Sequence, residues 1–497
     1  MGGAAEFSSS PEVSWLVFSI VRLYASMMVI SEPMKAPVHT GNSRWYSLAA
    51  VCVGAMLTFL NITATISSVP AIQEDLHADS ATMVWIPSIF ALVVASLVLS
   101  AGTLGDVIGR RTAFLIGSAV MSIGSLSSYL AHTSSWLLVA QAITGVGAAL
   151  VLPNSLAIIS NSFTNPKERT EAISIWAACS GLGLAIGPLS AGAILGEFSW
   201  NTVFLVNSIA ALGVTLIAPL VVPQSRIAGA HLDLPGLVTA TLAIGSLTFW
   251  VIDGSHNGFS STRAVIAIIV FACAMAMFIA YERAVDAPML DLELFRSPSF
   301  STVMVVSATA LFGFTGLSLI SVLLLERVGL LSAWTTGLHL LALMVTYMVV
   351  SGIAPRLLPR LGFKVMLTGG LLVTSAGALL LLRVHPDEGW TALTVAMVVL
   401  GIGFGSLIAP ATAAAMNSVA PAQAGMASGT VNMFRQLGSV LGTSVLGSIL
   451  TAQLAEGLLT QSPAEAFESA FHICAVVAAI VFAAVALPTA VFVRGKS

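Results

Sequence analysis

GTLGDVIGRR, residues 102–111, separates two apolar runs at about 83–104 and 112–131, with room for only a turn between them. Each run has roughly the 20 residues that carry a helix across a bilayer core. The interruption holds two glycines, Gly102 and Gly109, which permit a tight turn and close helix approach. Leu104 and the acid Asp106 lie between them, and the adjacent cations Arg110 and Arg111 follow. Two apolar spans joined by a short basic turn form a membrane hairpin whose turn belongs on the cytoplasmic side. Asp106, at that edge, is placed to accept hydrogen bonds from arginines and to face the positive N-terminal end of another helix.

The same alternation continues along the chain. The 497 residues are 57% hydrophobic and 8% charged, with a mean hydropathy of +0.97. A soluble domain carries roughly a quarter charged residues, so there is too little charge here to cover a water-facing surface. The composition predicts an all-α polytopic membrane protein. Fourteen transmembrane helices are expected, at about 46–68, 83–104, 112–131, 136–160, 172–196, 202–222, 234–252, 264–281, 301–325, 335–358, 365–383, 390–415, 425–452 and 469–493. With an even count both termini share a side. That side would hold Lys35, Arg44, Arg110, Arg111, Lys167, Arg169, Arg226, Arg283, Arg296, Arg356, Arg360, Lys364, Arg494 and Lys496, with Arg22 in the tail, while the other holds Arg263, Arg327 and Arg383. The bias puts both termini in the cytoplasm. Residues 1–45 fall outside this pattern. Their apolar stretch, 13–30, is broken by Arg22, no clear cleavage site follows, and Met27, Met28 and Met34 are alternative starts. They are read as a disordered or interfacial tail.

Other classes are not expected. No Lys/Arg cluster resembles a nucleic-acid patch. Cys52, Cys179, Cys273 and Cys474 all lie inside spans, where they read as small apolar residues. No metal-ligand spacing, nucleophile elbow or acid pair appears in a span, so neither an enzyme nor a cofactor is predicted.

Polar residues inside spans mark candidate sites. In FLNITATISSVP, residues 59–70, Asn61, Thr65 and Ser68 share a helix face with Thr58. This stripe reads as the span 1 wall of a central polar cavity. In span 5, Ser180, Gly183, Gly187 and Ser190 recur at helical spacing beside Pro188, a close-packing face with a kink. Arg435 is the one clear cation deep in a span. Asn432, Gln436, Ser439 and Thr443 lie on its side of span 13, which reads as a cavity or inter-bundle face, with a snorkelling arginine as the alternative. His339 in span 10 is a candidate proton carrier, against the plainer reading of a neutral histidine bonded to a neighbouring helix. Glu326 and Asp253 lie at outer span ends, and Glu326 is a candidate for an outer vestibule.

A second basic turn, PRLLPRLGFK at residues 355–364, aligns with the first on Gly109 and Gly362. A repeated span–turn–span unit suggests two homologous halves; two unrelated turns are the alternative. The first turn, Gly102-x-Leu104-x-Asp106-x-x-Gly109-Arg110-Arg111, resembles the signature loop of the major facilitator superfamily. Gly183-LAI-Gly187-Pro188-LSA-Gly192 is similar to the glycine-proline motif of antiporters in that superfamily. PMLDLELFRSPSF (288–300) and GMASGTVNMFRQLGSVLG (425–442) resemble segments of its fourteen-spanner drug:proton antiporters. The resemblance implies a six-helix bundle over 46–222, two inserted helices and a linker over 223–300, and a second six-helix bundle over 301–493. It implies a substrate site between the bundles and a signature loop that braces them near residues 425–429. It also implies proton-driven export of small lipophilic molecules from a plasma-membrane monomer.

Three positions depart from that family. An acid in span 1, an arginine in span 4 and an arginine after the tryptophan before span 6 are usual there. Here those positions hold Asn61, Gln141 and, after Trp200, Asn201. Amides do not exchange protons near neutral pH. Losing the acid removes the need for a nearby cation, which makes the changes consistent if the sites touch. Coupling would then use Asp106, Glu326 or His339, or the protein would be an uncoupled facilitator or a lipid or metabolite transporter. A neutral amphipathic cargo fits better than a lipophilic cation, against an aromatic wall such as Phe59, Phe312 and Phe314.

Overall fold

The computed structural model describes residues 43–78, 80–226, 233–285, 290, 292–385, 389–419 and 423–493. The predicted tail lies outside these residues, except that Ser43, Arg44 and Trp45 open the first helix.

The helices are α1 (Ser43–Leu76), α2 (Ser80–Ile108), α3 (Arg110–Tyr129), α4 (Ser134–Ser162), α5 (Pro166–Leu195), α6 (Thr202–Val221), α7 (Leu234–Asn257), α8 (Thr262–Glu282) and α9 (Pro298–Arg327). A long helical run, Ala333–Leu380, then contains α10 (Trp334–Ala354) and the start of α11 (Arg356–Arg383). The last three are α12 (Thr391–Asn417), α13 (Ala424–Gly457) and α14 (Pro463–Phe492). Fourteen helices among the described residues are long and apolar enough to span a membrane, as predicted. Helices satisfy every backbone group internally, which hydrocarbon demands. Several overrun the apolar stretch that marked them. The clearest is α1, which reaches Leu76 rather than ending near residue 68, because only the middle of a helix must be apolar enough for the bilayer core.

The starts are written locally. Asn165, Ser297 and Ser462 each cap a helix through the side chain, and each is followed by proline at the first helical position. The two aligned turns share a backbone device. Gly109 has φ +100° and Gly362 has φ +73°, conformations that L side chains rarely adopt. At Gly109 the chain turns from α2 into α3, and at Gly362 the run from α10 into α11 kinks.

In the first bundle α1 packs on α5, α6 and α4, α3 on α4 and α6, and α2 on α4. In the second, α9 packs on α13, α14 and α12, and the α10–α11 run on α12 and α14. The inserted α7 lies against α2 and touches α13, while α8 packs on α7 and leaves Ile266, Ile269 and Met277 exposed for lipid. The bundles meet where α5 runs along α10 and where α13 runs along α2 and α4.

Candidate functional site

The polar stripe of α1 is buried inside its own bundle. Asn207 of α6 donates from Nδ2 to Asn61 Oδ1 (3.1 Å) and to Ser125 Oγ of α3 (3.2 Å). Asn61 Nδ2 donates to Gln141 Oε1 of α4 (3.2 Å), Gln141 Nε2 to Ser128 Oγ (3.3 Å), and Ser128 Oγ to the Gly124 carbonyl (3.1 Å). The result is one directed chain of donors across four helices, all of it neutral. Asn61 and Gln141, the positions where the resembled family carries an acid and an arginine, do touch. An ionised carboxylate here would have no cation to pair with, and burying one alone is costly. Thr58 bonds the Gly54 carbonyl and Ser68 the Ala64 carbonyl, whereas buried Thr65 Oγ1 has no partner. Asn201 stands apart from this chain and ties the start of α6 to the Tyr129 carbonyl (3.2 Å).

The signature loop is also held within the first bundle. Asp106 accepts from Arg110 Nε at 2.9 Å, and Arg110, only 3% exposed, also reaches the Ala157 carbonyl of α4. Arg111 bonds through its backbone N–H to Gln224 Oε1 and through its guanidinium to the Val222 carbonyl, both beyond α6. Gly102 is buried and Leu104 half-buried. The expected partner of Asp106, the start of α13, instead meets α2 further up, where Gly429 faces Leu99. In α5 the motif glycines make the seam with α1: a Cβ at Gly183 would strike the Met56 carbonyl, and one at Gly187 the Thr63 side chain. Pro188 lies buried in the same helix and Gly192 half-buried near its end.

Among the described residues, four side-chain hydrogen bonds cross between the bundles. Arg169 Nη2 donates to Asn417 Oδ1 (2.5 Å), Ser428 Oγ to the Pro153 carbonyl (2.8 Å), Tyr347 Oη to the Ala177 carbonyl (2.7 Å) and Ser351 Oγ to the Ser174 carbonyl (3.4 Å). Arg169–Asn417 lies at helix ends that border the basic loops, Ser428–Pro153 and Ser351–Ser174 lie further in, and Tyr347–Ala177 lies near the middle of α5, beside Trp176. Among the described residues α1 and α9 share no extended packed face. The polar ties therefore run from the basic end to mid-helix, while at the opposite end α5 and α10 meet in apolar contact, where a Cβ at Gly337 would touch Leu189.

Arg435 sits on this seam, about 14 Å into α13 at 1.5 Å per residue from Met426. It is 3% exposed. Its guanidinium lies 5.4 Å from the Trp176 ring of α5 and 5.8 Å from the Phe59 ring of α1. Tyr347 of α10 stands on the same seam, its ring against Gly181 of α5 and 5.5 Å from the Phe314 ring. Two desolvated cation–π contacts are worth about 2 kcal/mol each, comparable with the roughly 2.5 kcal/mol or more that a mid-membrane arginine costs. The rings cover the cation but leave donors unmet: Nε and Nη1 have no acceptor, and none of the described carboxylates is ion-paired with Arg435. Asn432 turns back to the Ser428 carbonyl (3.0 Å), and Gln436 is buried one residue after Arg435.

Other expected residues lie elsewhere. His339 is half-buried with its ring 6.4 Å from Trp390, and Glu326 is half-buried at the end of α9 away from the basic loops. Phe312 packs where α9 meets Gly442 of α13, away from the Arg435 rings. The sequence reading passed over Asn207, Trp176 and Tyr347. Asn207 had a signal, a lone amide in the apolar run FLVNSIAALG; the two aromatics are ordinary span residues until the helices are assembled.

Two helical bundles meeting along a seam with buried polar groups are the architecture of a multi-pass membrane transporter rather than an enzyme. Residues 51–443 and 335–496 match the Major Facilitator Superfamily. The chain belongs to that superfamily. It is 31% identical over 414 residues to the multidrug resistance protein Stp of Mycobacterium tuberculosis, covering 83% of this chain and 77% of that protein. It is 30% identical over 427 residues to the multidrug efflux pump LfrA of Mycolicibacterium smegmatis, covering 86% and 84%. To the methyl viologen resistance protein SmvA of Salmonella typhimurium it is 29% identical over 430 residues, covering 86% of both. The human organic anion transporter MFSD10 (TETRAN) shares the fold, with a TM-score of 0.66 at 14% identity over 90% of this chain and 99% of that one.

Proposed function

We propose that this protein exports small lipophilic molecules across the plasma membrane by alternating access, as a monomer with both termini in the cytoplasm. The observation that carries the reading is that the inter-bundle hydrogen bonds among the described residues run from the basic end of the seam, at Arg169–Asn417, no further than mid-helix, at Tyr347–Ala177. That is one end state of a rocking cycle, sealed towards the side assigned to the cytoplasm. Relatives named for multidrug resistance and efflux support the direction and the cargo class. The neutral Asn61–Gln141–Asn207 chain takes α1 out of proton coupling, so a coupled cycle runs through Asp106, Glu326 or His339. The same chain favours a second reading, an uncoupled facilitator on this scaffold.

The deciding experiment is flux from proteoliposomes for a panel of neutral, anionic and cationic lipophiles, with and without a pH gradient. Export that collapses with the gradient supports antiport. Gradient-insensitive, bidirectional counterflow would select the facilitator. No flux for any compound would reject transport of this cargo class.

A further inference from the structure

We propose that the aromatic box around Arg435 binds the anionic group, a carboxylate or sulfonate, of an amphipathic aromatic substrate. The inference rests on the transport reading above and adds the charge of its cargo. The guanidinium is buried, its faces are covered by Phe59 and Trp176, and its Nε and Nη1 donate to nothing. The four helices that form the box bring no compensating acid. Glu171, the acid nearest to Trp176 along α5, is exposed, and the acids of α1 and α13 stand at Glu74, Asp75 and Glu456, far along those helices. Buried charges are ordinarily paired, and a ligand from outside the chain would supply the charge partner and acceptors that the two rings do not. An anion supplies both charge and acceptors; a neutral carbonyl supplies acceptors alone, and a cation is repelled. The rings define the rest of the ligand, because an aromatic body stacks beside Trp176 and Phe59.

The box is split across the seam. Phe59 and Trp176 belong to the first bundle and Arg435 to the second, where Tyr347 also reaches across to Gly181 and the Ala177 carbonyl of α5. The site is sealed in this conformation, so the anion enters when the bundles part and is gripped from both sides when they close. An occupant held by both bundles is differentially bound between states, which a ligand must be to shift that equilibrium.

The test uses the full chain in nanodiscs, titrated with 8-anilino-1-naphthalenesulfonate and with N-phenyl-1-naphthylamine, which differs by lacking the sulfonate. Signals are taken against empty nanodiscs. The wild type is expected to bind the sulfonate about tenfold or more tighter, the scale of a charge-assisted hydrogen bond. Arg435→Gln should bring the ratio to about one while keeping the binding of the amine, and Arg435→Lys should keep part of the preference. Equal binding by the wild type, or a preference that survives Arg435→Gln, overturns the proposal. If Arg435→Gln does not fold, the wild type is challenged with 1-naphthoate and 1-naphthamide as competitors. Displacement by the acid alone supports the site, and equal displacement overturns it. Proteoliposome flux separates the two readings. Sulfonate binding without flux of any probe rejects transport and keeps the anion site, while flux without anion preference rejects only the site.

Discussion

Asn61 shows how a single residue type sets the chemistry of a bundle interior. As an amide it both donates to Gln141 and accepts from Asn207; an aspartate could only accept when ionised. Asn61→Asp should oblige the Gln141 amide to turn and give up Ser128, lowering stability by about 1–3 kcal/mol, the cost of one orphaned buried group. It should also create a proton-binding site in α1. The expected readout is a lower melting temperature together with new, pH-dependent ethidium efflux; unchanged cargo and pH response would detach Asn61 from the coupling position. Sequence reading reached the substitution at this position and at 141. It could not show that the two side chains meet, because α1 and α4 are 80 residues apart along the chain at these positions.

For the elements, the glycines of α5 separate what spacing can tell from what it cannot. Their helical recurrence predicted a close-packed face but not which helix fills it. In the structure that helix is α1, with Gly183 against the Met56 carbonyl, while Gly181 of the same helix makes room for Tyr347 of α10. One helix thus serves an internal seam and the inter-bundle seam on opposite faces, since residues two apart stand about 200° around a helix. Gly183→Ala should force α1 and α5 apart and cost about 1–3 kcal/mol, as overpacking does. Gly213→Ala, with nothing within 4 Å of its added Cβ, should leave melting unchanged or slightly raised. Thermal melts of the two purified variants in detergent make the comparison. Equal melts would mean that the α1–α5 seam yields without loss.

On the scale of the whole molecule, the basic side is closed by polar bridges that must break for the bundles to rock. Arg169 and Asn417 are a suitable pair to test this, since their side chains meet at 2.5 Å across the seam. Cysteines at 169 and 417, in a background without the native thiols, joined by a reducible bifunctional reagent, should trap the closed state and abolish flux. Reductant should restore it. Flux through the cross-linked protein would show that this side stays shut, or that transport needs no opening there.

The span count, the basic side, the repeated glycine turn and the superfamily were all legible from sequence. Each depends on local properties: apolar run length, loop charge, and a backbone shape that glycine alone adopts cheaply. The Arg435 box was half legible. A mid-span arginine announces itself by its cost in hydrocarbon, and Phe59 was already a wall candidate. What compensates that cation is a matter of which helices converge on it, and Trp176 and Phe59 come from α5 and α1, across the seam from Arg435. The tertiary structure alone decided that rings rather than a carboxylate meet the guanidinium, and that two of its donors remain unfilled. Burial and hydrogen-bond satisfaction are properties of packed neighbours, and one chain's order of residues does not contain them.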